Sequence, residues 1–165
     1  MKITLVLADT GRQTPAGLSL LQVGWKSTFG ASQPDGSFIL PEQAVVVFVE
    51  AEFSEINRVY STDLWLVDRD NNPQQFNTPN GPIDAEVHRQ VLIPQVMGAS
   101  IGVDSSLATV FYDFPMGNIR VKEVPGWYRW MFKLDNGETG ETGFMVNPAP
   151  VQPSFGPLAG GTNPA

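Results

Sequence analysis

The sequence predicts an all-β protein: an antiparallel β-sandwich, immunoglobulin-like or C2-like, of about 7–9 strands with an extended Pro/Gly-rich C-terminal tail. Three observations carry this expectation. Apolar residues recur with a period of two or in short continuous runs bounded by turn residues. Glycine and proline number 16 and 14, together 30 of 165 residues, above the usual share of about 12%. No stretch of about ten residues holds a helical period. Hydrophobic residues make up 42% of the chain and charged residues only 16%, which suits one packed domain rather than a disordered chain.

The elements follow in chain order. Lys2–Ala8 (KITLVLA) is rich in β-branched residues and leucine and stops at the turn signal Asp9-Thr10-Gly11. Leu18–Trp25 reads as a second strand, so the two are expected to form an N-terminal hairpin. Gly30–Gly36 is a loop of Gly, Ser, Pro and Asp. Ala44–Phe53 (AVVVFVEAEF) begins as a continuous apolar run and ends alternating, the pattern of a central strand emerging at a sheet edge. A single helical turn is expected over Ser54–Val59, then a strand at Tyr60–Val67 and a turn cluster from Asp68 to Pro73. Further strands are expected at Ile83–Ile93 and Leu107–Phe114, with Ile119–Val124 extending the second. Pro79, Pro82, Pro94 and Pro115 keep them short or at edges. In Trp127–Leu134 the residues Tyr128, Trp130, Phe132 and Leu134 share one face. Asn136-Gly137 then suits a hairpin turn with two positive φ angles, and Phe144–Val146 is the last expected strand. Residues 1–146 form the expected domain, and 147–165 the tail, with five prolines and no charge.

Charge and composition exclude several function classes. The formal net charge is −7 and the ten basic residues form no patch, so no nucleic acid is expected as a partner, since neutralising phosphates needs clustered Lys and Arg. The same acidity disfavours an anionic membrane. With no Cys there are no disulfides, thiolate nucleophiles or Cys-based zinc sites. The single His88 builds no His-rich metal site, and no cofactor or metal is expected. Met1–Arg12 is too short in its apolar run for a signal peptide, and no apolar stretch is long enough to span a membrane. The chain is expected to be made and kept in a cytoplasm.

Each constellation with chemical potential has a plainer reading beside it. There is no G-x-S-x-G elbow, and His88 alternates with Glu86 and Gln90 on what reads as a solvated strand face. Glu50 and Glu52 share a strand face with Glu55 nearby, a pair able in principle to run sugar hydrolysis, or simply the wet face of an edge strand. Asp68, Asp70 and Asn72 resemble the start of a calcium loop, but Pro73 replaces the needed Gly, so a turn is expected. The GETGETG run from Gly137 to Gly143 lacks the Lys and helix of a phosphate cradle and reads as an exposed loop. Four tryptophans raise the possibility of a sugar platform. Leu64-Trp65-Leu66 suggests burial for Trp65, Trp130 belongs to the core face, and Trp127 is left facing outward.

Several motifs together resemble a family of small all-β proteins of bacteria and tailed phages that has no assigned function. They are the Ala8-Asp9 pair closing the first strand, Gly24-Trp25, the stretch carrying Val49, Glu50, Glu55, Asn57 and Arg58, and the later Pro125, Gly126, Tyr128, Trp130 pattern. The resemblance spans about residues 2–146 and implies fold and class, with no catalytic residues to carry over.

These readings lead to an expected function. The chain is expected to be no enzyme but a structural virion protein of a tailed phage, made in the host cytoplasm. A capsid decoration or accessory role is expected, with binding through strand edges and the tail. Expected partners are protein subunits, of the capsid or elsewhere in the virion or the chain itself, in an oligomer or larger assembly. Val151, Phe155, Leu158 and Trp127 are the expected contact residues. The alternative is a cytoplasmic bacterial module that binds a protein or a carbohydrate.

Overall fold

The computed structural model describes residues 1–14, 17–93 and 107–150. The strands are β1 (Lys2–Ala8), β2 (Thr10–Thr14), β3 (Gly17–Leu21), β4 (Ser27–Ser32), β5 (Phe38–Ile39), β6 (Gln43–Glu52) and β7 (Arg58–Asp68). They continue with β8 (Gln75–Thr78), β9 (Gly81–Asp84), β10 (Glu86–Ile93), β11 (Leu107–Met116), β12 (Ile119–Val121), β13 (Gly126–Leu134) and β14 (Thr139–Pro148). A 3-10 turn at Phe53–Glu55 is the one helical element among the described residues, and no helix is long and apolar enough to cross a membrane. The protein is all-β.

A short sheet of order β1-β6-β11 packs against a long sheet of order β10-β7-β13-β14-β4-β5-β12-β8-β9, with β2 and β3 forming a separate hairpin. The two larger sheets share one core, which makes the architecture a sandwich. The short sheet contributes Leu5, Leu7, Val45, Val47, Val49, Phe114 and Met116. The long sheet answers with Tyr60, Leu64, Leu66, Tyr128, Trp130, Phe132 and Phe144. Trp130, Phe132 and Phe144 are fully buried, and burying each such ring contributes roughly 2–3 kcal/mol. Arg89, on the edge strand, lays its guanidinium 5.1 Å from the Phe114 ring centroid and covers the open side of the core.

The continuous apolar run of β6 now has its reason. The strand lies between β1 and β11 and is hydrogen-bonded on both edges. Val46, on its other face, is as buried as Val45 and Val47, and β2 passes close to β6 and β11. β1 therefore pairs with β6 in antiparallel register, Lys2 opposite Glu50 and Ala8 opposite Ala44. This replaces the expected pairing of the first two strands. The hairpin that does form is β2 with β3, tied to β1 by the Gly24 N–H donating to the Leu7 carbonyl at 2.7 Å.

The structure divides the expected strands more finely. Ile83–Ile93 breaks at Ala85 into β9 and β10, because the Ala85 N–H bonds to the Gln74 carbonyl and its own carbonyl accepts from Leu66. Those bonds, with an isolated bridge between Val67 and Pro73, bring the β8–β9 end of the long sheet back beside β7. β12 joins β5 and β8 rather than extending β11. One pairing departs from the antiparallel rule: β14 runs parallel to β4, with Met145 opposite Ser27. The turn after β13 uses only one left-handed residue, Gly137 at φ +94, and its N–H bonds to the Leu134 carbonyl at 3.0 Å. It is a three-residue type of turn closed by a glycine bulge rather than a turn of two positive φ angles.

Candidate functional site

The outer face of the long sheet is where the exposed chemistry gathers. Alternation along β7 and β13 sends Leu64, Leu66, Trp130 and Phe132 inward, so Asp63, Trp65, Arg129 and Met131 face out. The registers then set rows across the strands. Glu86, Trp65, Met131 and Glu141 form one row, and His88, Asp63, Lys133 and Thr139 the next. At the far end of β13, Trp127 stands opposite Met145.

Trp127 faces outward as its parity opposite Tyr128, Trp130 and Phe132 indicated, and it is 40% exposed. Its indole packs closely against Gly143 of the neighbouring strand: a Cβ placed there would come within 2.6 Å of the ring carbon Cζ2. Only glycine leaves room for that approach. Phe29, on β4 next to β14 and 56% exposed, adds a second aromatic ring at this end of the sheet. The GETGETG run is therefore no loop; from Thr139 onward it is strand, and its last glycine is a seat for a tryptophan.

Trp65 corrects a sequence expectation. It is half-buried on the outer face instead of enclosed on both sides. The signal was present in Ser61, Asp63 and Trp65, which share a parity opposite to Tyr60, Thr62, Leu64 and Leu66; the flanking leucines obscured it. A pocket of about 340 Å3 opens beside the indole, lined by Asp63, Trp65, Pro73, Asp84, Glu86 and Lys133. The return of the β8–β9 end of the sheet to β7 supplies its Pro73 and Asp84 wall. Neither Lys133 nor Asp84 has a side-chain hydrogen bond or ion pair among the described residues.

His88 sits at the rim on the solvated face that its alternation predicts. Its Nδ1 lies 2.7 Å from an Asp63 carboxylate oxygen and its Nε2 3.6 Å from Glu86. The hydrogen bond to Asp63, helped by the charge of Glu86, raises the imidazole pKa above its usual 6.5. The arrangement favours the protonated imidazole; among the described residues no serine or other nucleophile is bonded to the ring.

The remaining sequence candidates are accounted for by structure. Glu50 pairs with Lys2 at 3.7 Å on the short sheet, and Glu52 is exposed. β6 is a central strand, so their face is not that of an edge. Glu55 accepts from the Glu52 N–H at 2.8 Å and pairs with the N-terminal ammonium at 3.4 Å. Asn57 takes φ +56 at the turn into β7, which gives that motif position a conformational role. Asp68 is a turn residue: one carboxylate oxygen accepts from the Asp70 and Asn72 N–H groups at 2.9 and 2.8 Å. Burial pushes its carboxyl up, but the side-chain and backbone bonds from Asn72 and the bond from Asp70 outweigh this and hold the pKa below the usual value. Among the described residues no group of three or more His, Cys, Asp or Glu is placed to hold a metal ion. Val151, Phe155 and Leu158 lie outside the described residues.

The Pro125-Gly126-x-Tyr128 motif is structural as well. The Tyr128 hydroxyl donates to the Glu123 carbonyl at 2.6 Å and accepts from the Glu123 N–H at 3.1 Å, pinning the loop that delivers Trp127 to the outer face. No family model, curated protein or solved structure matches the chain.

Proposed function

We propose that this protein is a non-enzymatic structural module that docks a neighbouring protein subunit against the outer face of its long sheet. The observation that carries the reading is the apolar end of that face, where Trp127 packs against Gly143 beside Met145 with an exposed Phe29 on the same face. A large, amphipathic aromatic ring with only two rotatable side-chain bonds loses little entropy when a partner covers it, which is how contact anchors are built. A subunit of a tailed-phage virion, with this chain as a capsid decoration or accessory protein, is the partner supported by the family resemblance and by the uncharged tail that follows β14. A second reading, a cytoplasmic module with a protein or carbohydrate partner, is favoured by the Trp65 pocket.

The test is a photoreactive residue in place of Trp127, in full-length protein expressed in the cell that encodes it. Cross-linking to one protein that co-sediments with phage particles supports the virion role. A discrete adduct with a soluble protein absent from particles replaces it with the cytoplasmic role. Adducts with no defined partner, while the same photoreactive residue at Lys2 on the short sheet gives one, overturn the assignment to this face.

A further inference from the structure

We infer that the pocket beside Trp65 is a binding site for an organic cation, either a free alkylammonium or a basic side chain presented by a protein. The inference is independent of what docks at Trp127, which lies four residues before the Trp65 row in β13. An indole is the aromatic surface that attracts cations best, and Trp65 forms one wall of the pocket. Three carboxylates, Asp63, Asp84 and Glu86, stand around it against one ammonium, Lys133. A negatively charged guest would therefore meet net repulsion.

The charges already present do not satisfy one another. Asp63 is taken up by His88 at 2.7 Å, which explains why Lys133, its cross-strand neighbour, forms no ion pair with it. Glu86 reaches His88 only at 3.6 Å, and the Asp84 carboxylate has no hydrogen bond or ion pair among the described residues. A cation entering over the Trp65 ring would gain these two carboxylates together with the ring face. A neutral sugar would use the ring but not the charge imbalance. The net charge of −7 also draws cations toward this surface.

His88 makes the site sensitive to pH. The groups facing it are Asp63 from β7 and Glu86 from its own strand, with Lys133 beyond Asp63 on β13. As imidazolium it cancels part of the carboxylate charge that the guest needs. Cation affinity is therefore expected to rise as pH increases through the His88 pKa, and to become flat with pH in His88→Gln.

The experiment is a titration of the full chain with n-butylammonium chloride, followed by amide and indole N–H chemical shifts, beside parallel titrations with 1-butanol, glucose and an acetyl-lysine-amide peptide. The expected result is saturable shifts centred on Asp63, Trp65 and Glu86 with butylammonium. The peptide distinguishes the sources: tighter binding than the free amine points to a protein side chain, weaker binding to a small amine. Trp65→Leu should weaken butylammonium about fivefold, the size of a modest cation–π contact. Lys133→Gln, an exposed change that leaves the core alone, should strengthen it. Weaker binding in Lys133→Gln, or glucose or butanol binding as well as the amine, overturns the inference. So does the absence of saturable shifts at these residues.

Discussion

Replacing Gly143 with alanine is expected to change stability by a sign that depends on residue 127. The added Cβ would stand 2.6 Å from Trp127 Cζ2, 3.0 Å from Cε2 and 3.2 Å from Nε1. The ring is half free, so it retreats rather than the backbone. An indole lying on a strand makes on the order of 15–20 contacts of about 0.15 kcal/mol each, or roughly 2–3 kcal/mol, and a gap near 1 Å forfeits up to half, about 1–1.5 kcal/mol. Removing a glycine from a strand interior returns about 0.5–1 kcal/mol. With Trp127 present the substitution should therefore be neutral or destabilising by up to about 1 kcal/mol. In a Trp127→Ala background only the gain remains, and the same change should stabilise by about 0.5–1 kcal/mol. Urea unfolding of the four proteins of this double-mutant cycle measures the coupling directly. Equal effects of Gly143→Ala in both backgrounds would show that the ring does not rest on the glycine.

Three further outcomes are expected. Tyr128→Phe removes the hydroxyl that both donates to and accepts from Glu123; because water reaches that loop the loss should be about 1–2 kcal/mol, read as a fall in Tm of roughly 3–6 °C. An NMR titration should place the His88 pKa above 6.5 and Asp63→Asn should lower it, since the Asp63 bond is the main cause of the shift. The sign follows: the stabilisation is fully present below about pH 6.5, the unfolded value, and is lost as pH rises through the folded value, so Asp63→Asn should make the melting temperature less pH-dependent there. Gln43 is 3% exposed and its amide finds no hydrogen-bond partner among the described residues; Gln43→Met should raise stability by about 1–2 kcal/mol in the same urea assay, and a loss would show that the amide is satisfied.

Where hydrophobic patterning alone decides structure, the fold was legible. The alternation of Tyr128, Trp130, Phe132 and Leu134 and the continuous run of β6 each correspond to an observed strand with the expected faces. Pairing was not legible, because which strand lies beside β6 depends on contacts about forty residues apart for β1 and about sixty for β11, and local pattern carries no such information. Tails of strands were also misplaced. The Gly140 and Gly143 positions look like loop by composition, yet they are strand because packed side chains, Ile3 and Leu5 against one and Trp127 against the other, require the missing Cβ. The outward Trp127 was readable from period two alone. The Trp65 pocket was not, since its Asp84 and Pro73 wall is brought back to β7 by three backbone hydrogen bonds around Ala85 and Gln74.

The parallel union of β14 with β4 joins positions near opposite ends of the chain, Ser27 beside Met145 and Gly30 beside Pro148. β14 is also the partner of β13, so it is the middle plank between β10-β7-β13 on one side and β4-β5-β12-β8-β9 on the other. During synthesis the β13–β14–β4 seam cannot close until almost the last described residue has been made, although the β8–β9 end already meets β7 around Ala85 and Gln74. The chain therefore completes its long sheet only near the end of synthesis. Its folding should be slow for its size, because so many of its strand pairings join residues far apart in the sequence. A nick or truncation within β14 should accordingly unfasten both halves together, leaving no stable fragment behind.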